Sequence, residues 1–160
     1  MTGTPTVGPT RGSHVIAAAV AGAGIGFLLV QGAQTFGIAL PALNGIAWAS
    51  IVALAALTAH SAWRTHRQVQ KLREPVEPRR ALSLVVWGRT SVLAGVGLGA
   101  GYLVVALLAL PQAAAPSPAA RLLHGLIAAV AGAAWAVSGG LLERACRIPP
   151  DDDSSDAPQR

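Results

Sequence analysis

Residues 12–63 read GSHVIAAAVAGAGIGFLLVQGAQTFGIALPALNGIAWASIVALAALTAHSAW and contain no aspartate, glutamate, lysine or arginine. A transmembrane helix needs about 20 mostly apolar residues to cross about 30 Å of hydrocarbon, so this run is long enough for two crossings. It divides near residues 34–44, where Gly37 and Pro41 supply turn chemistry. The two helices are therefore predicted over residues 14–34 and 45–63.

Two further stretches without charged residues lie at residues 90–120 and 122–142, and each is long enough for one crossing. The third helix is predicted over residues 87–110, ending before Pro111, because proline cannot continue the hydrogen-bond ladder. Pro116 and Pro118 are expected to keep the linker open before a fourth helix over residues 122–142. The predicted fold is an all-α integral membrane bundle of four transmembrane helices.

The composition supports an apolar environment. Charged residues make up only 12% of the 160 residues, whereas a soluble globular domain carries about 25%. Apolar residues make up 52%, and the mean hydropathy is +0.51. Water is therefore the wrong solvent for most of the surface.

The distribution of lysine and arginine predicts the orientation, since basic residues near the ends of spans are retained on the cytoplasmic side. The connection between the second and third helices, residues 64–80, is basic, whereas the connection between the third and fourth holds only Arg121. Both termini are then expected in the cytoplasm, with the chain in the plasma (inner) membrane. The basic residues of the loop, which are also expected to contact lipid head groups, are Arg64, Arg67, Lys71, Arg73, Arg79 and Arg80.

Three units result from this topology. Residues 1–13 form a cytoplasmic N-terminal tail, and residues 14–148 form the four-helix transmembrane domain. Residues 149–160 are acidic, contain proline and lack apolar anchors, so a disordered cytoplasmic tail is predicted there.

Small residues recur along the predicted spans at spacings that place them on one helix face. Such faces let helix backbones approach closely in a membrane. Two interpretations stay open: packing between helices of this chain, or a face for a second copy or another membrane protein. The predicted packing residues are Gly22, Gly26, Gly95, Gly99, Gly125, Gly132 and Gly139.

Arg89 and Glu143 are predicted at similar depth near the cytoplasmic ends of the third and fourth helices, which suggests an interhelical ion pair. The alternative is two independent interfacial charges, since exposed pairs contribute little. Hydroxyl side chains such as those of Thr58 and Ser138 are expected to satisfy backbone or cross-helix hydrogen bonds.

No residue pattern indicates chemistry. The four histidines are scattered without metal-ligand spacing, Cys146 is the only cysteine, and no hydroxyl has a histidine and carboxylate beside it. The sequence therefore predicts no enzyme activity, no cofactor and no metal. The basic loop lacks interleaved aromatic residues, so no nucleic-acid partner is expected.

The string ERACRIPPDD at residues 143–152 comes after a glycine-rich final helix and resembles the closing signature of domain of unknown function 3180, a family of actinobacterial membrane proteins. Residues 89–102 are similar to that family's third helix. The resemblance implies four spans and no known activity. Arg89, Glu143, Arg144, Cys146 and Arg147 match the pattern without an established role.

Two functions remain open. A non-enzymatic accessory or scaffold protein would contact other membrane proteins, or a further copy, through its small-residue faces and basic loop. The alternative is a small homo-oligomeric transporter or channel, since four short helices can pack around a pathway. Broken helices and polar midplane sites are typical of transporters. In this sequence only the glycine-rich third helix, with Tyr102, has features that resemble such a site.

Overall fold

The computed structural model describes residues 12–38, 45–67, 78–112 and 114–145, and this part of the chain is all-α. A short 3-10 segment, Leu110–Gln112, extends the third helix. Three helices, in the segments Gly12–Thr35, Ser83–Ala109 and Pro116–Ala145, are long and apolar enough to cross a membrane. The four α-helices are α1 (Gly12–Thr35), α2 (Gly45–His66), α3 (Pro78–Ala109) and α4 (Pro116–Ala145).

The end of α1 is set by Gly37, the turn residue singled out in the sequence. Gly37 has a positive φ of 63°, which costs a residue without a side chain little. The amide of Ile38 donates to the carbonyl of Ala33 at 2.9 Å, and that of Gly37 donates to Gln34 at 3.3 Å. These are the two bonds of a Schellman motif, which satisfies the last carbonyl groups of a helix.

The prediction that Pro116 and Pro118 keep a linker open was wrong. α4 begins at Pro116, six residues before the predicted start at residue 122. Proline fits the first turn of a helix, because the amide groups there have no partner within the helix and the proline ring presets a helical φ. The prolines therefore start the helix instead of delaying it.

The helices lie side by side in the order α1, α3, α4, α2. The extensive interfaces are those of α3 with α4, α2 with α4 and α1 with α3. Each outer helix thus packs mainly on one neighbour, a more open arrangement than the predicted bundle. In the centre of this row, α4 buries residues spaced three or four apart, including Gly125, Ala128, Gly132 and Trp135.

The core joins α2 to α4. Ile51 and Ala55 pack with Ala128, Ala131 and Trp135 in one buried cluster. Apolar side chains also cover the outside of the helices: Val20 is 66% exposed and Leu28 is 68% exposed. An apolar exterior of this kind on long helices indicates a membrane protein, since soluble proteins rarely expose large apolar patches.

Several predictions fall outside the described residues. These are the N-terminal tail up to residue 11, the centre of the basic loop with Lys71 and Arg73, the acidic tail 149–160, and Cys146 and Arg147 of the C-terminal signature.

Candidate functional site

The crossing of α1 and α3 is built from glycines on both helices. A Cβ atom built on Gly22 would collide with the backbone of Gly97, and one on Gly26 would lie 2.5 Å from the carbonyl oxygen of Gly101. Both contacts advance by four residues in the same direction, so α1 and α3 run parallel. Only glycine allows the two backbones to approach this closely.

The crossing of α3 and α4 uses the same device along a longer contact. A Cβ on Gly95 would lie 2.6 Å from the amide nitrogen of Ala136, and one on Gly139 would lie 2.6 Å from the carbonyl oxygen of Gly88. Towards the other end of the helices, a Cβ on Gly125 would lie 3.0 Å from the Cβ of Ala106. The residue numbers run in opposite directions, so α3 and α4 are antiparallel.

The predicted packing glycines therefore contact other helices of the same chain. Gly99 and Gly132 complete the set, since a Cβ on Gly132 would lie 2.8 Å from the Cα of Gly99. Of the two interpretations left open by the sequence, this placement favours packing within the chain. A partner helix would need a different surface.

Arg89 and Glu143 lie at the same end of the α3–α4 interface. A Cβ on Gly88, the residue before Arg89, would lie 3.2 Å from the amide nitrogen of Glu143. Both residues are partly buried, and each interacts with a neighbouring group. Their mutual ion pair stays a prediction.

Four basic residues of the loop, Arg64, Arg67, Arg79 and Arg80, belong to the described part of the chain. Arg64 belongs to the last turn of α2, and Arg79 and Arg80 lie in the first turn of α3. The guanidinium of Arg67 lies 4.8 Å above the ring of Trp63, a cation–π geometry. Lipid contact by these residues stays a prediction.

An apolar groove lies between α1 and α3. Its volume is about 540 Å³, within the range of about 300–1,000 Å³ that is typical of ligand sites. The glycines of the α1–α3 crossing form part of its lining, and larger side chains such as Ile25, Leu29 and Val105 complete it. The groove thus runs beside the close contact of the two helices.

Two polar side chains interrupt this apolar lining, those of Tyr102 on α3 and Arg121 on α4. Arg121 precedes Gly125 by one helical turn, and Gly125 packs on Ala106 and on the carbonyl of Tyr102. The guanidinium therefore lies towards the C-terminal ends of α1 and α3, opposite the end that holds Arg89 and Glu143. Arg121 is partly buried.

In the sequence, Arg121 is only a weak topology signal, and no pattern predicts the groove. One signal was present: Arg121 is the only Asp, Glu, Lys or Arg between Arg89 and Glu143. Charged residues inside apolar spans are candidates for function. Among the described residues, no group of three or more His, Cys, Asp and Glu side chains is placed to hold a metal ion.

Comparison with known protein families gives a match. A family model described as "Protein of unknown function (DUF3180)" matches residues 15–150. No curated protein and no solved structure matches the chain. The match covers α2, α3 and α4 and all but the first three residues of α1.

Proposed function

The chain belongs to the DUF3180 family, and we propose that it is a four-span protein of the plasma membrane with both termini in the cytoplasm. The helix directions support this topology. α1 and α3 are parallel, and α3 and α4 are antiparallel. Glu143, Arg144 and the start of α3 therefore lie at one end of the helices, and Arg121 lies at the other. Because basic residues are retained on the cytoplasmic side, the end with Arg79, Arg80 and Arg144 is the cytoplasmic one.

Within that topology we propose a non-enzymatic accessory role, in which the chain contacts a transmembrane helix of another protein. The observation that supports this role is the outer face of α1, defined by Ile16, Val20, Gly24 and Phe27. These residues are spaced by four, four and three, so they share one side of the helix. The apolar side chains of this face are exposed, and a Cβ on Gly24 would have nothing within 4 Å.

The outer face of α1 has the properties that helix pairing in a membrane uses. Larger side chains flank a small residue, which lets a second backbone approach. In contrast to Gly22 and Gly26, whose faces are filled by α3, Gly24 is open. α1 is also held mainly by one neighbour, so this side of the helix is accessible from the bilayer.

The test is photo-crosslinking in cells with the full chain. A photoreactive residue at Val20, which is 66% exposed, is expected to crosslink to a second membrane protein. The same residue at Val30, which is 4% exposed, is the inward control and is expected to give no such product. Gly24→Leu should abolish the Val20 crosslink, because the leucine side chain fills the open space over Gly24 that the partner helix would occupy.

The matched control for Gly24→Leu is Gly140→Leu, since Gly140 is also open but lies on α4. It should leave the crosslink unchanged. A product made only of two copies of this chain would instead favour the homo-oligomeric transporter or channel. Absence of any protein product from Val20 would refute the accessory role.

A further inference from the structure

The groove between α1 and α3 has the dimensions of a lipid chain site. Its lining on α1 runs from Ala18 to Val30. At about 1.5 Å per residue this corresponds to about 18 Å. One leaflet of a bilayer with about 30 Å of hydrocarbon is about 15 Å deep, so the groove is as long as a single leaflet.

The chemistry of the lining matches the interior of a membrane. Alanine, glycine, leucine, isoleucine and valine side chains make up the walls, and the polar groups are confined to Tyr102 and Arg121. The two glycine pairs of the crossing keep the floor of the groove narrow, while Ile25 and Leu29 remain exposed along its rim. An acyl chain makes the dispersion contacts that such a surface offers.

Arg121 lies at one end of this groove, and among the described residues no carboxylate is near it. The seven carboxylate residues are Glu74, Glu77, Glu143, Asp151, Asp152, Asp153 and Asp156. None of them is in α1, in α2 or in the first 27 residues of α4, and none lies between Arg80 and Leu142. Glu143 is about six helical turns from Arg121, or about 33 Å along α4.

A guanidinium at the edge of an apolar span lies at head-group depth, where lipid phosphates are the nearest anions. Arginine pairs with phosphate through two parallel hydrogen bonds. In a phospholipid the phosphate lies near the ester end of the acyl chain. Arg121 lies at the end of the groove in the same way. Charge complementarity therefore identifies the occupant as an amphiphile with an anionic phosphate head.

We propose that the α1–α3 groove binds one acyl chain of an anionic phospholipid, whose phosphate is held by Arg121. Tyr102 supplies a second polar side chain in the lining. The bound lipid fills the space beside the glycine contacts and braces α1, which otherwise packs mainly on α3. This inference does not depend on the accessory role.

Native mass spectrometry of the full chain in detergent, with phosphatidylglycerol added, tests the site. The expected result is one retained phosphatidylglycerol, with retention at least tenfold weaker in Arg121→Gln. Arg144→Gln removes the same charge from the exposed last turn of α4, outside the groove, and should bind like the wild type. Phosphatidylcholine, which has no net charge, should be retained at least tenfold less.

Val105→Trp is a second variant that fills the groove and leaves Arg121 in place. It is expected to lose phosphatidylglycerol while the protein stays monodisperse with an unchanged helical circular-dichroism spectrum. The proposal would be overturned if Arg121→Gln or Val105→Trp retained as much phosphatidylglycerol as the wild type. Displacement of phosphatidylglycerol by inorganic phosphate at matched concentration would overturn it as well, because the acyl chain would then add nothing.

Discussion

Trp135 and Thr58 form a polar contact between α4 and α2 within an apolar cluster. The indole nitrogen of Trp135 donates to the hydroxyl oxygen of Thr58 at 3.2 Å, and that hydroxyl donates to the carbonyl of Leu54 at 2.8 Å. Thr58 is fully buried. The threonine thus links its own helix backbone to the neighbouring helix.

We expect Trp135→Phe to destabilise the protein by about 0.6 to 1.5 kcal/mol, because it removes a hydrogen bond inside the apolar α2–α4 cluster and leaves most of the ring volume. The measurement is the midpoint of thermal unfolding in detergent. Thr58→Val should lower the midpoint by a similar amount. The double variant should cost less than the sum of the two, because both changes remove the same bond.

Trp48→Phe is the matched substitution with the opposite expectation. The indole nitrogen of Trp48 is buried and has no hydrogen-bond partner among the described residues. Removing a buried donor that lacks a partner relieves its desolvation cost, which is about 1–3 kcal/mol. The midpoint should stay level or rise; a loss as large as that of Trp135→Phe would show that ring packing, and not the hydrogen bond, sets both values.

At the scale of elements, adjacent glycines at the end of α4 have different environments. A Cβ on Gly139 would lie 2.6 Å from the carbonyl of Gly88 and 2.9 Å from the Cβ of Ser91. A Cβ on Gly140 would meet nothing within 4 Å. The pair separates the effect of helix propensity from that of packing.

Gly139→Ala is expected to cost about 1–3 kcal/mol, because the added methyl group forces α3 and α4 apart. Gly140→Ala should be neutral or stabilise the protein by up to about 1 kcal/mol, because alanine is the better helix former. Thermal unfolding of both variants in the same detergent provides the comparison. Equal effects would mean that the α3–α4 crossing tolerates a methyl group and that its close approach does not hold the helices together.

The elements were predictable to different degrees from the sequence. Runs without charge predict where helices lie, and Gly37 indicates a helix end, because both depend on local chemistry. Pro116 was misread because proline can either stop a helix or start one, and the outcome depends on the residues on its C-terminal side. Glycine spacing predicted which residues pack, but periodicity defines only a face and does not identify the helix that covers it.

At the scale of the whole molecule, the arrangement of the helices was not predictable. The groove combines residues of α1 and α3 that are about 70–80 positions apart in the chain, with Arg121 of α4 at its end. No local pattern encodes such a combination. The open row also depends on which of several similar small-residue faces pair, and these differ by single methyl groups.

The proposed topology can be tested at the two ends of α4, which are about 45 Å apart, since the helix has 30 residues. This exceeds the hydrocarbon thickness of about 30 Å, so both ends reach water. A membrane-impermeant maleimide should label Ser117→Cys in intact cells, in a Cys146→Ser background. Cys146, directly after α4, should react only after permeabilisation, which also provides the accessibility control. If Cys146 were labelled in intact cells and Ser117→Cys were not, the orientation would be the opposite of the proposed one. Arg121 would then meet a lipid phosphate on the cytoplasmic side of the membrane.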